Sequence, residues 1–260
     1  MTTRRTENSE WDFPNASTPL GSAAYYAVRF SPEPQRRRNA LLFAWYQLVQ
    51  AVAENPRDPG AARLKLDWWR QELDNIPGEK ARHPLAIELQ RTKLGETAAS
   101  IMGAIIDTAD EEIRNAWLGD YDAFTAACRG SLGNLFLVLA ELENEPQYKP
   151  EDCLGFGGYC AAVERIRHLT RFPQRVPKNL DPQRLQQIDR TQRTALIEEL
   201  MNRFPGTRAP EMRQIPDFSR RLTALSRAMH SKMHSQGYTI TDTLSDRAPI
   251  AQLWTAWRCR

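Results

Sequence analysis

A chain of 260 residues with 41% hydrophobic content can bury a real core, which excludes global disorder, and its length allows one large domain or two small ones. Charged residues make up 26%, and 35 basic side chains against 32 acidic ones leave only +3, whereas a nucleic-acid partner is announced by a clustered basic excess. No window approaches the roughly 18 consecutive apolar residues of a membrane span, and no apolar stretch follows the first two arginines as in a secretory leader, so the expected location is cytoplasmic.

All but six of the basic residues are arginine, whose fork suits phosphate and carboxylate groups, although a codon bias accounts for the same excess. The four cysteines, Cys128, Cys153, Cys160 and Cys259, show neither a CxxC pair nor zinc-finger spacing, and read as buried free thiols rather than a disulfide or zinc framework.

In chain order, residues 1–15 are polar and without periodicity and read as a disordered tail, with residues 16–260 forming a single helical domain. Apolar residues recur at i, i+3, i+4 and i+7 almost throughout, and alternating β-branched runs are missing. The fold class is therefore all-α, with helices expected near 18–30, 34–54, 59–76, 83–95, 97–107, 109–117, 120–143, 150–171, 181–203, 217–235 and 247–257. Proline and glycine turns punctuate these segments, and the stretch 206–216 is the one loop that reads as mobile. No repeat of 20–50 residues marks a solenoid.

Several local patterns carry candidate chemistry. His230 and His234 share a helical face at the spacing of a metal-chelating pair, but no carboxylate flanks them, so a solvated face is the favoured reading. Cys153 and Cys160 also share a face and read as core. The clusters Arg36-Arg37-Arg38 and Arg220-Arg221 point in different directions around their helices, so each offers at most one or two contacts to a ligand. Near the carboxy terminus, Trp254 and Trp257 lie on one side of a basic helix, as either a packing lid or a peripheral membrane contact.

A richer constellation runs from Ser22-Ala-Ala-Tyr25-Tyr26-Ala-Val-Arg29 through Ala44-Trp45-Tyr46, Trp68-Trp69-Arg70-Gln-Glu72-Leu73 and His83-Pro84 to Cys128-Arg-Gly-Ser-Leu-Gly133. With this order of motifs the sequence resembles the squalene/phytoene synthase family over roughly residues 16–180. The resemblance implies an isoprenoid-synthase-type helical bundle. Active members condense two prenyl diphosphates head to head, with Mg²⁺ held by Asp-rich motifs on facing helices, because a departing diphosphate needs metal ions anchored by several carboxylates.

Aligned on the family pattern, the first Asp-rich motif falls on Gln50-Ala51-Val52-Ala53-Glu54 and the second on Glu164-Arg165-Ile166-Arg167-His168 through Phe172. Only Glu54 and Glu164 are acidic there, and residues 42–53 contain no acid in any register. The resemblance thus implies degenerate metal positions at Gln50, Ala51, Glu54, Glu164, His168 and Phe172, no bound metal, and no cofactor. One branch of the family, the mitochondrial complex I assembly factor, looks similar in this respect and suggests a non-catalytic binding or assembly role, with a partner protein or an isoprenoid-like lipid as the ligand.

The competing reading is an active transferase with an altered site, in which Tyr26, Arg29, Arg167 and Arg171, together with Arg165 and Arg175, hold diphosphate oxygens directly and Mg²⁺ is bound at most by Glu54 and Glu164. A third possibility is a scaffold whose interior is filled by Phe43, Trp45, Tyr46, Phe136, Tyr159 and Phe172. A long interior pocket distinguishes the first two from the third.

Overall fold

The computed structural model describes residues 9–54, 56–115, 118–205, 212–240 and 247–259. Prolines 59, 84, 150, 182 and 249 each open a helix, where a missing N–H costs nothing and the fixed φ is already helical. Side chains close other ends: Ser22 Oγ accepts from Tyr25 N, Asp58 from the amides of Gly60 and Ala61, and Asp120 from Ala123 N, satisfying amides that have no partner within the helix.

The resulting order is α1 (Ala23–Arg29), α2 (Glu33–Glu54), α3 (Pro59–Asn75), α4 (Pro84–Gln90), α5 (Glu96–Arg114), α6 (Tyr121–Cys128), a π-helical turn (Arg129–Gly133), α7 (Asn134–Glu143), α8 (Pro150–Arg167), α9 (Pro182–Gln187), α10 (Arg190–Met201), α11 (Asp217–Ser235) and α12 (Pro249–Arg258). The described residues are all-helical, as the periodicity predicts. Helix α8 runs through the centre, against the π turn, α7 and α11; α5 packs on α2, α3 and α7; α1 and α12 lie on α11. Trp45, Phe124, Phe136, Phe156 and Phe218 are fully buried in the shared core.

Six boundaries differ from the sequence expectation. The helix expected over 18–30 begins only at Ala23, because Ser22 caps it and Gly21 before it has a positive φ. The helices expected at 97–107 and 109–117 are one helix, α5, because nothing between them breaks it and Thr108 Oγ1 simply donates back to Ala104 O at 2.9 Å. The helix expected over 120–143 contains the π turn. That over 181–203 breaks at Ile188, where the backbone is extended and Asp189 caps α10. The helix expected over 83–95 ends at Gln90, and that over 150–171 ends at Arg167, so residues 168–172 form a turn instead of a further helical face.

The tail expected through Asn15 is folded from Ser9 onward. Asp12 accepts from Ser9 N at 2.9 Å and pairs with Arg37 at 3.1 Å, Trp11 meets the His83 ring at 5.7 Å, and Phe13 stacks on Tyr25 at 5.2 Å. Residues 1–8, and 206–211 of the loop expected to be mobile, lie outside the described residues.

The π turn has a packing cause. A Cβ on Gly157 would lie 2.5 Å from Leu132 O and 2.6 Å from Gly133 Cα, and one on Gly133 would lie 2.7 Å from Leu154 O. The two glycines therefore let the backbones of α8 and the turn touch, and that contact fixes where the carboxy-terminal end of α8 emerges. By length and composition Tyr121–Glu143 could cross a membrane, but 61% of its apolar window is buried within this fold, the burial of a core helix.

Candidate functional site

The most recognisable sequence motif lies away from the cavity. Glu72, 2% exposed, accepts from Arg82 N at 2.8 Å and His83 N at 2.9 Å. His83 in turn caps α4 by accepting from Leu85 N at 3.2 Å, and its ring packs edge-on against both Trp68 and Trp69, at centroid distances of 5.5 and 4.9 Å, while the two indoles touch each other at 4.9 Å. Burial holds His83 below the usual imidazole range, which favours the neutral ring a capping acceptor requires. The Trp-Trp-Arg-x-Glu and His-Pro motifs thus secure the corner between α3 and α4.

Helices α1, α2 and α8, with the turn after α8, enclose a cavity of about 540 Å³. Gln50, Ala51, Glu54, Glu164, His168 and Phe172, the six positions aligned with the metal motifs, all line it, as do Arg167, Arg171, Arg165 and Arg175. Its apolar wall includes Ala23, Ala24, Phe43, Leu48, Leu132 and Leu222. A second cavity of about 370 Å³ adjoins it, sharing Ser22, Ala23, Glu164, Arg167 and Ser226 and reaching Leu20, Pro249 and Gln252.

Two of the proposed ligand contacts are elsewhere. Tyr26 is buried against Tyr25 at a centroid distance of 5.2 Å, Arg29 is exposed at the end of α1, and neither lines either of these two cavities. The cause is helical geometry: Ala24 faces the cavity, and five residues further, at about 100° per residue, the chain points to the far side. Of the aromatic residues that could fill the interior, Phe43, Tyr46 and Phe172 line the large cavity, Trp45 and Phe136 are core, and Tyr159 is bonded to His230.

The polar end of the cavity is organised around arginine. Arg175, 7% exposed, donates from Nη2 to Gln50 Oε1 at 2.6 Å, from Nη1 to Glu54 Oε1 at 3.3 Å and from Nε to Glu112 Oε2 at 3.0 Å. The other Glu112 oxygen accepts from Arg165 Nη2 at 2.5 Å. Burial would raise the Glu112 carboxyl, but the guanidinium groups of Arg165 and Arg175 outweigh it and hold the group below the usual carboxylate range. Glu164 pairs with Arg167 and His168, each at 3.3 Å, and those partners overcome burial and lower its pKa as well. Two donors at this end, Gln50 Nε2 and Arg165 Nη1, and one ring nitrogen, His168 Nδ1, are buried without a protein hydrogen-bond partner among the described residues. Arg171 is exposed, its guanidinium 5.1 Å from the Phe172 ring centroid.

Glu112 is the participant that motif reading missed. A signal was present: Ile105, Ala109 and Glu112 occupy one stripe of α5 at i, i+4 and i+7, which places an acid on a buried face, and a buried carboxylate requires a cationic partner.

The remaining candidates have other partners. His230 does not pair with His234; its ring nitrogens meet Tyr159 Oη at 2.9 Å and Tyr238 Oη at 2.6 Å, and Tyr238 donates to Glu198. Among the described residues no group of three His, Cys, Asp or Glu is placed to hold a metal ion. Burial pushes Cys128 and Cys153 up to about 12 and Cys160 up to about 11, so none is an activated nucleophile. Arg36 donates to Ser31 O at 2.9 Å, Arg37 pairs with Asp12 and Glu88, and Arg38 pairs with Glu143. Arg220 and Arg221 both pair with Asp217.

An all-α bundle with a cavity between central helices, polar where α2 faces the end of α8, defines an isoprenoid-synthase-type helical fold. The squalene/phytoene synthase family profile matches residues 20–176, and the chain belongs to that family. A comparison with curated proteins finds no match.

Proposed function

We propose that this member of the squalene/phytoene synthase family is a non-catalytic binding or assembly protein that takes an isoprenoid-like amphiphile into the inherited cavity without metal-dependent condensation. The observation that carries this reading is the position of Arg175. Its guanidinium occupies the oxygens of Gln50 and Glu54 at the first metal-motif position, while Arg167 and His168 engage Glu164 at the second. Magnesium requires several free carboxylate or water oxygens in near-octahedral array. A neutral amide, a methyl, an imidazole and a phenyl ring beside two arginine-paired glutamates do not fit it. The sequence's similarity to the complex I assembly-factor branch at these positions supports the same non-catalytic class of role.

The cavity volume lies within the range of small-molecule sites, about 300–1,000 Å³. An apolar wall with Arg167 and Arg171 at one end matches a hydrocarbon chain with an acidic or phosphorylated head. The test is the melting temperature with and without farnesyl diphosphate, in Mg²⁺ and in EDTA. Binding only to the folded state at about 100-fold saturation adds roughly 2.7 kcal/mol, and the expected rise is equal in both buffers. A rise confined to Mg²⁺, with a condensed prenyl product, overturns the non-catalytic reading; no rise in either overturns the ligand.

A further inference from the structure

Helix α12 has its amphipathic pattern reversed. Gln252 and Ala256 form its buried face, while Ile250 (77% exposed), Leu253 (40%), Trp254 (52%) and Trp257 (43%) point outward. Their spacing, i, i+3, i+4 and i+7, is that of one continuous helical stripe. Such a stripe normally faces the core; here the large apolar side chains face solvent and the small and polar ones face the protein. The inward face is attached to the body of the protein, since Arg221 of α11 donates to Ala256 O at 2.5 Å and α12 packs on both α11 and α1.

Leu20, 75% exposed, extends the patch. The loop carrying it lies against the start of α12, for a Cβ on Gly21 would be 3.6 Å from Pro249 Cγ. Five of the seven large exposed apolar side chains among the described residues therefore belong to this one corner. A patch of this kind marks an interaction site.

Charge and residue type select the occupant. From Arg247 to Arg260 the sequence contains three arginines and no acid. The Trp254 and Trp257 rings lie 5.2 Å apart, and the Arg258 guanidinium sits 5.7 Å from the Trp254 ring centroid. Tryptophans with arginines at the border of an apolar helical face suit the boundary between headgroups and acyl chains, and an acid-free basic segment is attracted to anionic lipid. We infer that the outward face of α12, with Leu20, docks the protein on an anionic lipid bilayer surface, the helix lying in the interfacial plane. This goes beyond the proposed ligand and does not depend on it.

The experiment is co-sedimentation of the 260-residue chain with vesicles of phosphatidylcholine alone and of phosphatidylcholine mixed with phosphatidylglycerol. The expected result is binding to the anionic vesicles that weakens with salt, and partitioning reduced about tenfold or more in the Trp254→Glu/Trp257→Glu variant. Brominated acyl chains should quench the wild-type tryptophan fluorescence, and much less that of Trp254→Phe/Trp257→Phe, which keeps an apolar face and still binds. Circular dichroism checks that the variants are folded, and the quenching arm stands if the glutamate variant is not. Absence of binding to either vesicle overturns the inference, as does equal binding by a folded glutamate variant. A wild-type dimer that the glutamate variant dissociates overturns it too, by assigning the face to a second copy of the chain.

Discussion

Arg175 and Gln50 meet at 2.6 Å across 125 positions of sequence, and their contact joins the end of α2 to the turn after α8 over a buried carboxylate from α5. Arg175, Arg165 and Glu112 are all nearly inaccessible to solvent, where an ion pair contributes little net stability while complete and costs a great deal when broken. Glu112→Gln should leave the buried Arg165 without its counter-ion and Arg175 with Glu54 alone, and lower unfolding stability by about 3–5 kcal/mol. Equilibrium urea denaturation measures this. A loss under about 1 kcal/mol would mean that water reaches the cluster.

Glycine at position 157 is required by distance. Gly157→Ala places a methyl against the backbone of the π turn and should cost at least the roughly 1–3 kcal/mol typical of core overpacking, since the obstruction is main chain and cannot rotate away. Gly103→Ala is the control: it lies within α5 with nothing within 4 Å of the added atom, and should stabilise by about 0.4–1 kcal/mol. Thermal denaturation of the two variants should move in opposite directions.

Acid should weaken the fold in two stages. Burial depresses His230, outweighing Glu198, and His234 adds to the depression; the phenols of Tyr159 and Tyr238 complete its surroundings. A folded value below the unfolded one, near 6.5, means that the contribution is present above that pH and is lost as pH falls through the folded value. Glu112 follows the same sign, its contribution disappearing below the unfolded carboxylate value of about 4.3. Melting temperature should therefore decline below about pH 6.5 in the wild type and less in His230→Gln, with a further loss below about pH 4.3 in both. Identical slopes in the first window would remove His230 as its source.

Thiol labelling gives an independent check on the core. Cys128, Cys153 and Cys160 are buried, and Cys259 is partly exposed. A thiol-reactive dye should modify Cys259 in the native protein and the other three only after denaturant is added. Rapid native labelling of Cys160 would show that the large cavity, which it lines, opens to reagents.

The helical class, the family and the gathering of Gln50, Glu54, Glu164 and His168 around one space were legible in the sequence, because helical period and motif order are local properties. Arg29 was misplaced because a matching motif gives order along the chain without giving the side of the helix. The stripe of α5 marks Glu112 as an acid on a buried face, but its partners Arg165 and Arg175 reach it only through a long-range contact, which no local pattern contains. The π turn was hidden for a related reason: Gly133 and Gly157 read as unremarkable small residues until their backbones are brought together.

The arginine-centred cluster also ties three elements to one charge balance. Replacing Arg175 alone leaves Glu112 with Arg165 as its cation, and replacing His168 alone by aspartate sets a second carboxylate beside Glu164, with Arg167 as the adjacent cation. A change of charge at any one of these positions alters what its neighbours require, so a carboxylate-rich arrangement of this end of the cavity calls for coordinated changes on α2, α5 and the end of α8.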